Sequence, residues 1–356
     1  MTDPIAAIRN AAATARWAPS SHNSQPWQVE IEPLNSMEMR HVHIRLDETA
    51  RLRALDALDD EMAISLGLFA GTFCRELGSA GVPYRVSADP PTALTIRVGP
   101  APSRKPEKVQ ERTDEIRARR TSRGAFSPRL LTVSDRKALQ TRQWTGLGIG
   151  TAASVQLLED AVLRQSVAGL LERYGAQDFS HFAAWSETYA HIKFVPASAL
   201  HEGRGFSIES ILGPLSPMRR SLMRIVLHPV TMQFLRPFGL PRAMARSLAE
   251  LAFGSPALVV LVAEDTRPEF FDLVETGNRL AEIWLTAERQ GLCLHPLSVL
   301  LQHPDARQAL RQALGLSGQP VFIARVGEAL QPAPPSPRIP TDALVTYRPP
   351  AATAAS

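Results

Sequence analysis

The chain has 356 residues, 44% of them hydrophobic and 21% charged, with a formal net charge of +4. That length holds one large domain or two packed halves with a real core. Only four of the 39 basic residues are lysines, and the arginines are scattered without an aromatic-interleaved stripe. This speaks against a nucleic-acid partner.

Cys74 and Cys293 stand without CxxC spacing and outside any His/Cys cluster. A zinc site or disulfide framework is therefore not expected, and a reducing cytoplasm fits. The opening Thr2-Asp3-Pro4 lacks the basic-then-apolar pattern of a secretory signal. No run reaches the roughly 18–20 apolar residues that cross a bilayer. The expectation is a cytoplasmic protein with no metal, no nucleic acid and no stable membrane insertion.

In chain order, Asp3-Pro4 reads as a helix cap followed by proline in the first turn, with the helix running to about Arg16. Pro19 ends it and opens a polar turn, Ser20 to Pro26. Trp27 to Ile31 and His41 to Leu46 alternate as strands. Asp59-Asp60 caps a helix whose apolar ridge is Met62, Leu66, Phe69, Phe73 and Leu77, ended by Gly78 and Gly81. Strands follow near Tyr84–Ser87 and Leu94–Val98, then a proline-rich linker, Pro100 to Pro106. The second half predicts helices ending near Arg120, over Asp160–Tyr174 and around Trp185–His191. Residues 206–250 are rich in Met, Phe, Leu, Arg and Pro. A buried strand Ala257–Ala263, a long helix from Pro268 to Gln290 and a strand Val321–Val326 complete it. After Gln331 the proline- and alanine-rich tail reads as extended or disordered.

A weak internal repeat runs through this order. Gly67 and Gly81 lie fourteen residues apart, as do Gly277 and Gly291. The matching strands read Leu94-Thr-Ile-Arg-Val-Gly99 and Phe322-Ile-Ala-Arg-Val-Gly327. The pattern suggests two similar α+β halves packed with pseudo-two-fold symmetry.

Three segments carry chemistry. Pro19 and Pro26 stiffen a turn dense in donors and acceptors: Ser20, Ser21, His22, Asn23, Ser24 and Gln25. It suits a flat polar heterocycle with a sugar-like chain, or equally an ordinary turn whose side chains cap helix ends. Arg119-Arg120-Thr121-Ser122-Arg123 suits a phosphate through charge-assisted, bidentate bonds, against the alternative of a solvated face. The helix end Ala287–Leu292 offers a narrow face at Gly277 and Ala281, usable for ligand approach or for helix packing, with Gly291 as its C-cap glycine.

Together these segments resemble the FMN-dependent nitroreductase superfamily. The Arg-x-Ser/Thr-x-Arg phosphate clamp is matched by Arg119, Thr121 and Arg123, and the Pro-Ser-Ser-x-Asn-x-Gln-Pro-Trp loop by Pro19, Ser20, Ser21, Asn23, Gln25, Pro26 and Trp27. The long helix ending in Gly-Leu is matched by Gly277 to Leu292, and the late glycine and arginine by Gly327 and Arg338. The motif order departs from the family pattern: the loop comes first and the clamp about 100 residues later, each once. This is similar to the Acg-type branch, in which one chain mimics the dimer.

The resemblance implies a nitroreductase-like α+β fold: two half-domains, each a mixed or antiparallel sheet with flanking helices, forming an intramolecular pseudo-dimer. Residues 1–105 would form the first half and 106–330 the second, with a lid-like insertion at about 200–250 and an extended tail over 331–356. One FMN would bind between the halves without a second chain. Its binding residues would be Pro19, Ser20, Ser21, Asn23, Gln25, Arg119, Arg120, Thr121, Arg123, Gly291, Leu292 and Arg338. No side-chain acid or base is required, because FMN carries the chemistry. The lid would draw on Phe206, Ile208, Leu212, Met218, Leu222, Met223, Phe234 and Phe238, a set that also reads as a helical core layer or a basic membrane-surface helix. The implied activity is reduction of nitro-aromatic, quinone or related small-molecule acceptors by NAD(P)H. The alternatives are a closed protein that sequesters FMN without turnover and a specialised flavin-dependent pathway dehydrogenase.

Overall fold

The computed structural model describes residues 4–33, 39–102, 109–141 and 144–348. The Asp3 cap and most of the Pro100–Pro106 linker fall outside them. Eleven strands lie in the described chain: β1 Trp27–Ile31, β2 Arg40–Leu46, β3 Tyr84–Asp89, β4 Ala93–Val98, β5 Ser154–Leu158, β6 Ile192–Lys193, β7 Phe206–Ser207, β8 Ala257–Ala263, β9 Cys293–Pro296, β10 Gln319–Gly327 and β11 Val345–Tyr347.

They form two main sheets with the same internal order. One runs β11-β1-β2-β4-β3, the other β5-β8-β10-β9, with β6 and β7 as a separate parallel pair. In each main sheet the first two strands precede a long helix and the last two follow it. All neighbours within these four-strand sets are antiparallel. The difference is the connection between the first two strands. β1 and β2 are joined by a short link, whereas residues 159–256, mostly helical, separate β5 from β8.

The long helices Leu58–Ser79 and Phe270–Arg289 are the two central supports of one apolar core. Leu58–Ser79 is buried nearly all round, as expected of a helix enclosed by other elements. Asp59 and Asp60 sit in its first turn, where they favour the positive helix end. The N-cap itself is Ala57 and makes no side-chain capping bond, so the cap expected of the aspartates is displaced by two residues. Gly81 ends the segment at φ +69°.

The repeat glycines meet in space. A Cβ at Gly277 would fall on the Ile64 carbonyl and within 2.9 Å of the Gly67 Cα, and a Cβ at Gly67 would fall on the Val274 carbonyl. Two backbones thus touch where only glycine fits, which sets the crossing of the two supports.

The tail departs from the sequence expectation. From Gln331 it runs without regular structure to Pro340. It then forms a helical turn, Thr341–Leu344, and strand β11, which pairs parallel with β1 through Val29 and Val345. The last strand in the chain therefore closes the edge of the first sheet. Its short length and alanine-rich surroundings hid it from periodicity.

Gly277→Ala tests the crossing. Alanine gains about 1 kcal/mol of helix propensity, yet overpacking against backbone costs about 1–3 kcal/mol or more. A net loss of stability in urea unfolding is expected. Unchanged stability would contradict the close approach.

Candidate functional site

The turn between Pro19 and Pro26 is strained and tightly held. His22, Asn23 and Gln25 all adopt left-handed φ, at 50°, 51° and 49°. Each costs on the order of 1 kcal/mol for a residue with a Cβ, less for asparagine. Such a shape persists only when its surroundings dictate it. Ser20 Oγ accepts from the Gln25 amide at 2.9 Å. Ser21 donates its hydroxyl to the Glu61 carboxylate, and its amide reaches Ser65 Oγ at 3.3 Å. Burial raises the Glu61 pKa.

Asn23 and Gln25 supply most of the remaining pins. Asn23 Nδ2 donates to the Gly205 carbonyl at 2.7 Å and the Pro337 carbonyl at 3.0 Å. Gln25 Nε2 donates to the Gly203 carbonyl at 2.9 Å, and its Oε1 accepts from the Ile339 amide at 3.0 Å. Both amide side chains, expected to face a ligand, are engaged with the chain itself. They shape the loop and tie it to residues 203–205 and 337–339. A Cβ at Gly205 would strike the His191 carbonyl, so that contact demands glycine.

The arginine segment comes to the same place. Arg119 is buried, with its guanidinium carbon 4.9 Å from the Trp284 ring centroid and a weak 3.4 Å bond to Thr121 Oγ1. Burial lowers its pKa to about 10. Arg120 turns back to backbone, with Nη1 3.0 Å from the Arg119 carbonyl. Arg123 lies 4.4 Å over the Phe206 ring and is likewise lowered to about 10 by burial. Arg338 spans the junction. Nη1 donates to Asn23 Oδ1 at 2.9 Å, and Nη2 to the Trp17 carbonyl at 3.1 Å. Burial, then repulsion from Arg119, Arg120 and Arg16, holds its pKa well below the usual arginine value.

Two further arginines join the cluster. Arg16 donates to the Ile339 carbonyl at 2.8 Å. Arg325, fully buried on β10, donates Nε to His295 Nδ1 at 2.9 Å and Nη2 to the Gly124 carbonyl at 2.7 Å, with Phe126 beneath it. Among the described residues none of these six arginines has a carboxylate within ion-pair distance. Buried Nε of Arg16, Arg119 and Arg338 and buried Nη1 of Arg325 have no hydrogen-bond partner. Against the burial that lowers the Arg119 and Arg120 pKa values, Glu288 lies near enough to raise them without forming an ion pair. The six cations thus face little negative charge, a donor set that suits an anion. Two clefts, of about 410 and 510 Å³, lie elsewhere and include none of these residues.

The other expected residues are placed as follows. Pro19 joins the first helix to the loop. Thr121 lies beside Leu294 in an isolated parallel bridge, so the clamp runs along the start of β9. Gly291 is in the left-handed conformation at φ +73°, and the Leu292 side chain is in the core. Their amides donate to the Glu288 and Ala287 carbonyls at 2.9 and 3.0 Å, closing the helix. Both amides are therefore engaged in that closure.

The block 206–250 divides. Phe206 and Ile208 are buried, and Phe206 covers Arg123. Leu212, Met218, Leu222, Phe234 and Phe238 face outward, and Met223 packs on a small apolar cluster around Trp185 and Met232. Only the stretch around β7 reaches the arginines.

Arg16 and Arg325 went unnoticed in the sequence, and Ser24 was read only as one of the loop's donors and acceptors. Arg325 had a visible signal, as a lone charge inside an otherwise apolar strand. Arg97, at the matching repeat position, is exposed, so the motif alone did not separate them. Ser24 is fully buried with a free hydroxyl.

No family model matches the chain. A probable NAD(P)H nitroreductase, PigM of Serratia sp. (strain ATCC 39006), is 32% identical over 339 residues, covering 93% of this chain and 91% of the relative. An uncharacterized protein of Mycobacterium tuberculosis (strain ATCC 25618 / H37Rv) is 24% identical over 350 residues, covering 96% and 93%. Among solved structures, the FMN-dependent nitroreductase NfnB of Mycobacterium smegmatis, in complex with NADPH, shares 16% identity, covering 68% of this chain and 96% of that one, with a TM-score of 0.40. A putative nitroreductase of Anabaena variabilis shares 10%, covering 88% and 82%, with a TM-score of 0.41. The fold is α+β and nitroreductase-like. The chain belongs to the nitroreductase family.

Two half-buried histidines, His22 and His295, make stability depend on pH. His22 Nδ1 is buried without a partner, and burial, with His191 and Arg123 nearby, lowers its pKa to about 3. His295 is lowered by burial and by Arg325 and Arg123. Below about pH 6.5 the unfolded chain takes up a proton that folded His22 refuses, so stability falls as pH falls. His22→Asn keeps a residue suited to left-handed φ and removes that titration. Between pH 7 and 5 the parent should lose about 2 kcal/mol more than the variant in urea unfolding. Equal losses would show that His22 is not held neutral by the fold.

Proposed function

We propose that this protein is an NAD(P)H-dependent oxidoreductase that holds one FMN where the Pro19–Pro26 loop meets the arginine cluster, and that it reduces a nitro-aromatic, quinone or related small acceptor. The family membership supports the class of activity. The observation that carries the site is the group of buried arginines without a carboxylate beside a strained, pinned loop. An FMN phosphate fits that donor set, since it is dianionic and accepts bidentate guanidinium bonds.

In this reading Arg119, Arg120, Thr121, Arg123 and Arg338 hold the phosphate end. Ser20, Ser21, Asn23 and Gln25 fix the loop so that its remaining groups, including the Ser24 hydroxyl, meet the polar part of the cofactor. Pro19 limits the loop's freedom. Gly291 and Leu292 set where the clamp strand lies through the end of their helix. Phe206 and residues 203–205 keep water from the arginines. FMN, when bound, supplies hydride and electron transfer, while the protein supplies position and electrostatics.

The equal strand order of the two sheets supports reading the chain as two nitroreductase-like halves, residues 1–105 and 106–330, with a returning tail. On that reading one chain suffices for one FMN. A second reading, a protein that stores flavin without turnover, is favoured by one feature: Phe206 lies over Arg123 and closes that side.

Visible spectroscopy separates these readings. Purified protein should bind one FMN per chain at the mass of a monomer, and NADPH or NADH should bleach it. Bound flavin that neither donor bleaches would leave storage. Losing one charge-assisted contact costs about 1.5–3 kcal/mol, or roughly 10- to 150-fold in Kd. Arg119→Ala with Arg123→Ala should therefore abolish tight binding. Retention of parental affinity would overturn the clamp assignment.

A further inference from the structure

We infer that the helical hairpin Pro217–Phe238 is a peripheral docking surface for an anionic lipid bilayer. Met218, Leu222 and Ile225 lie four and three residues apart, on one face of the helix Pro217–Val226. Val230, Phe234 and Phe238 repeat every four residues along the next helix and its 3₁₀ continuation. These six side chains are between 51% and 80% exposed. Scattered exposed leucines are ordinary, but two successive apolar stripes facing solvent are not.

The opposite side of the hairpin is anchored. The Trp185 indole donates to the Leu227 carbonyl at 2.8 Å, and the Tyr189 hydroxyl to the Arg224 carbonyl at 3.0 Å. Arg220 is paired with Glu209 at 2.6 Å, and Met223 packs on the apolar cluster beneath. The outward face therefore belongs to a fixed helix pair rather than to a frayed segment.

Charge selects the occupant. Between Gly213 and Ala249 there are six arginines and no aspartate or glutamate. Arg220 and Arg246 are paired with acids outside that stretch. Arg219, Arg224, Arg236 and Arg242 are exposed and have no carboxylate within ion-pair distance among the described residues. Arg219 and Arg224 flank the apolar stripe of their helix, one on each side. A second copy would bring the same positive patch against this one, and the charges would repel. An anionic bilayer complements both features. Single Phe, Leu and Met side chains enter the acyl boundary while guanidinium groups stay at phosphate level. No described helix is long and apolar enough to cross a membrane, so the contact is interfacial.

Flotation with vesicles tests this on the full chain. Vesicles of equimolar phosphatidylcholine and phosphatidylglycerol should carry the protein upward at low salt, less so at high salt. Pure phosphatidylcholine should carry little. Leu222→Glu with Phe234→Glu should abolish flotation without changing the melting temperature. Arg219→Ala and Arg224→Ala should each weaken binding about fivefold, which keeps the test decisive should the glutamates disturb folding. Equal binding to both vesicle types, or none to either, would overturn the proposal. So would light scattering that shows a lipid-free dimer dissociated by the glutamate pair, since the occupant would then be a second copy.

Discussion

The structure is organised around a cost. Arg119, Arg325 and Arg338 are buried, and Arg123 is largely so, with no carboxylate in contact among the described residues. Removing a guanidinium from water without a counter-charge is expensive. The observed partners, backbone carbonyls, a histidine nitrogen and aromatic faces, recover part of that cost and leave several N–H groups idle. The lowered arginine pKa values express the same imbalance, with burial as the largest cause. Such a cluster is the chemistry that an anion would complete.

The strained loop depends on that arrangement and supports it. Three left-handed residues in four positions would relax in a free peptide. Here Asn23 links Gly205, Pro337 and Arg338, and Gln25 links Gly203 and Ile339. The beginning of the chain, the long insertion and the tail are thereby joined at one point, and the cluster's Arg338 is itself one of the joints. Tail strand β11 holds the other end of that joint by pairing with β1. Loop shape, tail path and arginine placement are thus one constraint rather than three.

Much of this was legible in the sequence. Strand Trp27–Ile31 showed by alternation, Ala257–Ala263 by its unbroken apolar run and the first long helix by its apolar ridge, and these and the second long helix formed close to the expected bounds. The repeat glycines Gly67 and Gly277, read from the sequence only as a sign of similar halves, lie at the helix crossing. The loop and the arginine segment were read as partners; in the fold Arg338 bonds Asn23, and Arg123 lies near enough to His22 to add to the burial that lowers its pKa. The direction of individual side chains was not legible. Asn23 and Gln25 look the same in sequence whether they bind a ligand or pin a backbone. Strands β5, β9 and β11 are short, with weak alternation, so tertiary pairing rather than local pattern decides them.

The two main sheets share a strand order, yet the groups that anchor their loops differ. Two residues before the crossing glycine of each central helix stands the residue that receives the loop ahead of the first strand. In the first half it is Ser65, which accepts the Ser21 amide. In the second it is Glu275, fully buried, whose carboxylate accepts the amides of Leu147, Gly148 and Ile149 at 2.8, 3.1 and 3.4 Å. The second-half loop is therefore wrapped around an internal anion. Nearby, Arg75 is paired with Glu282, so the cation beside that loop is already neutralised. The first-half loop is held differently: Ser65 Oγ accepts the Ser21 amide, and the Ser21 hydroxyl reaches the Glu61 carboxylate one turn earlier on the same helix. Equivalent positions on the two central helices thus anchor one loop through a serine hydroxyl and the other through a carboxylate that takes three amides.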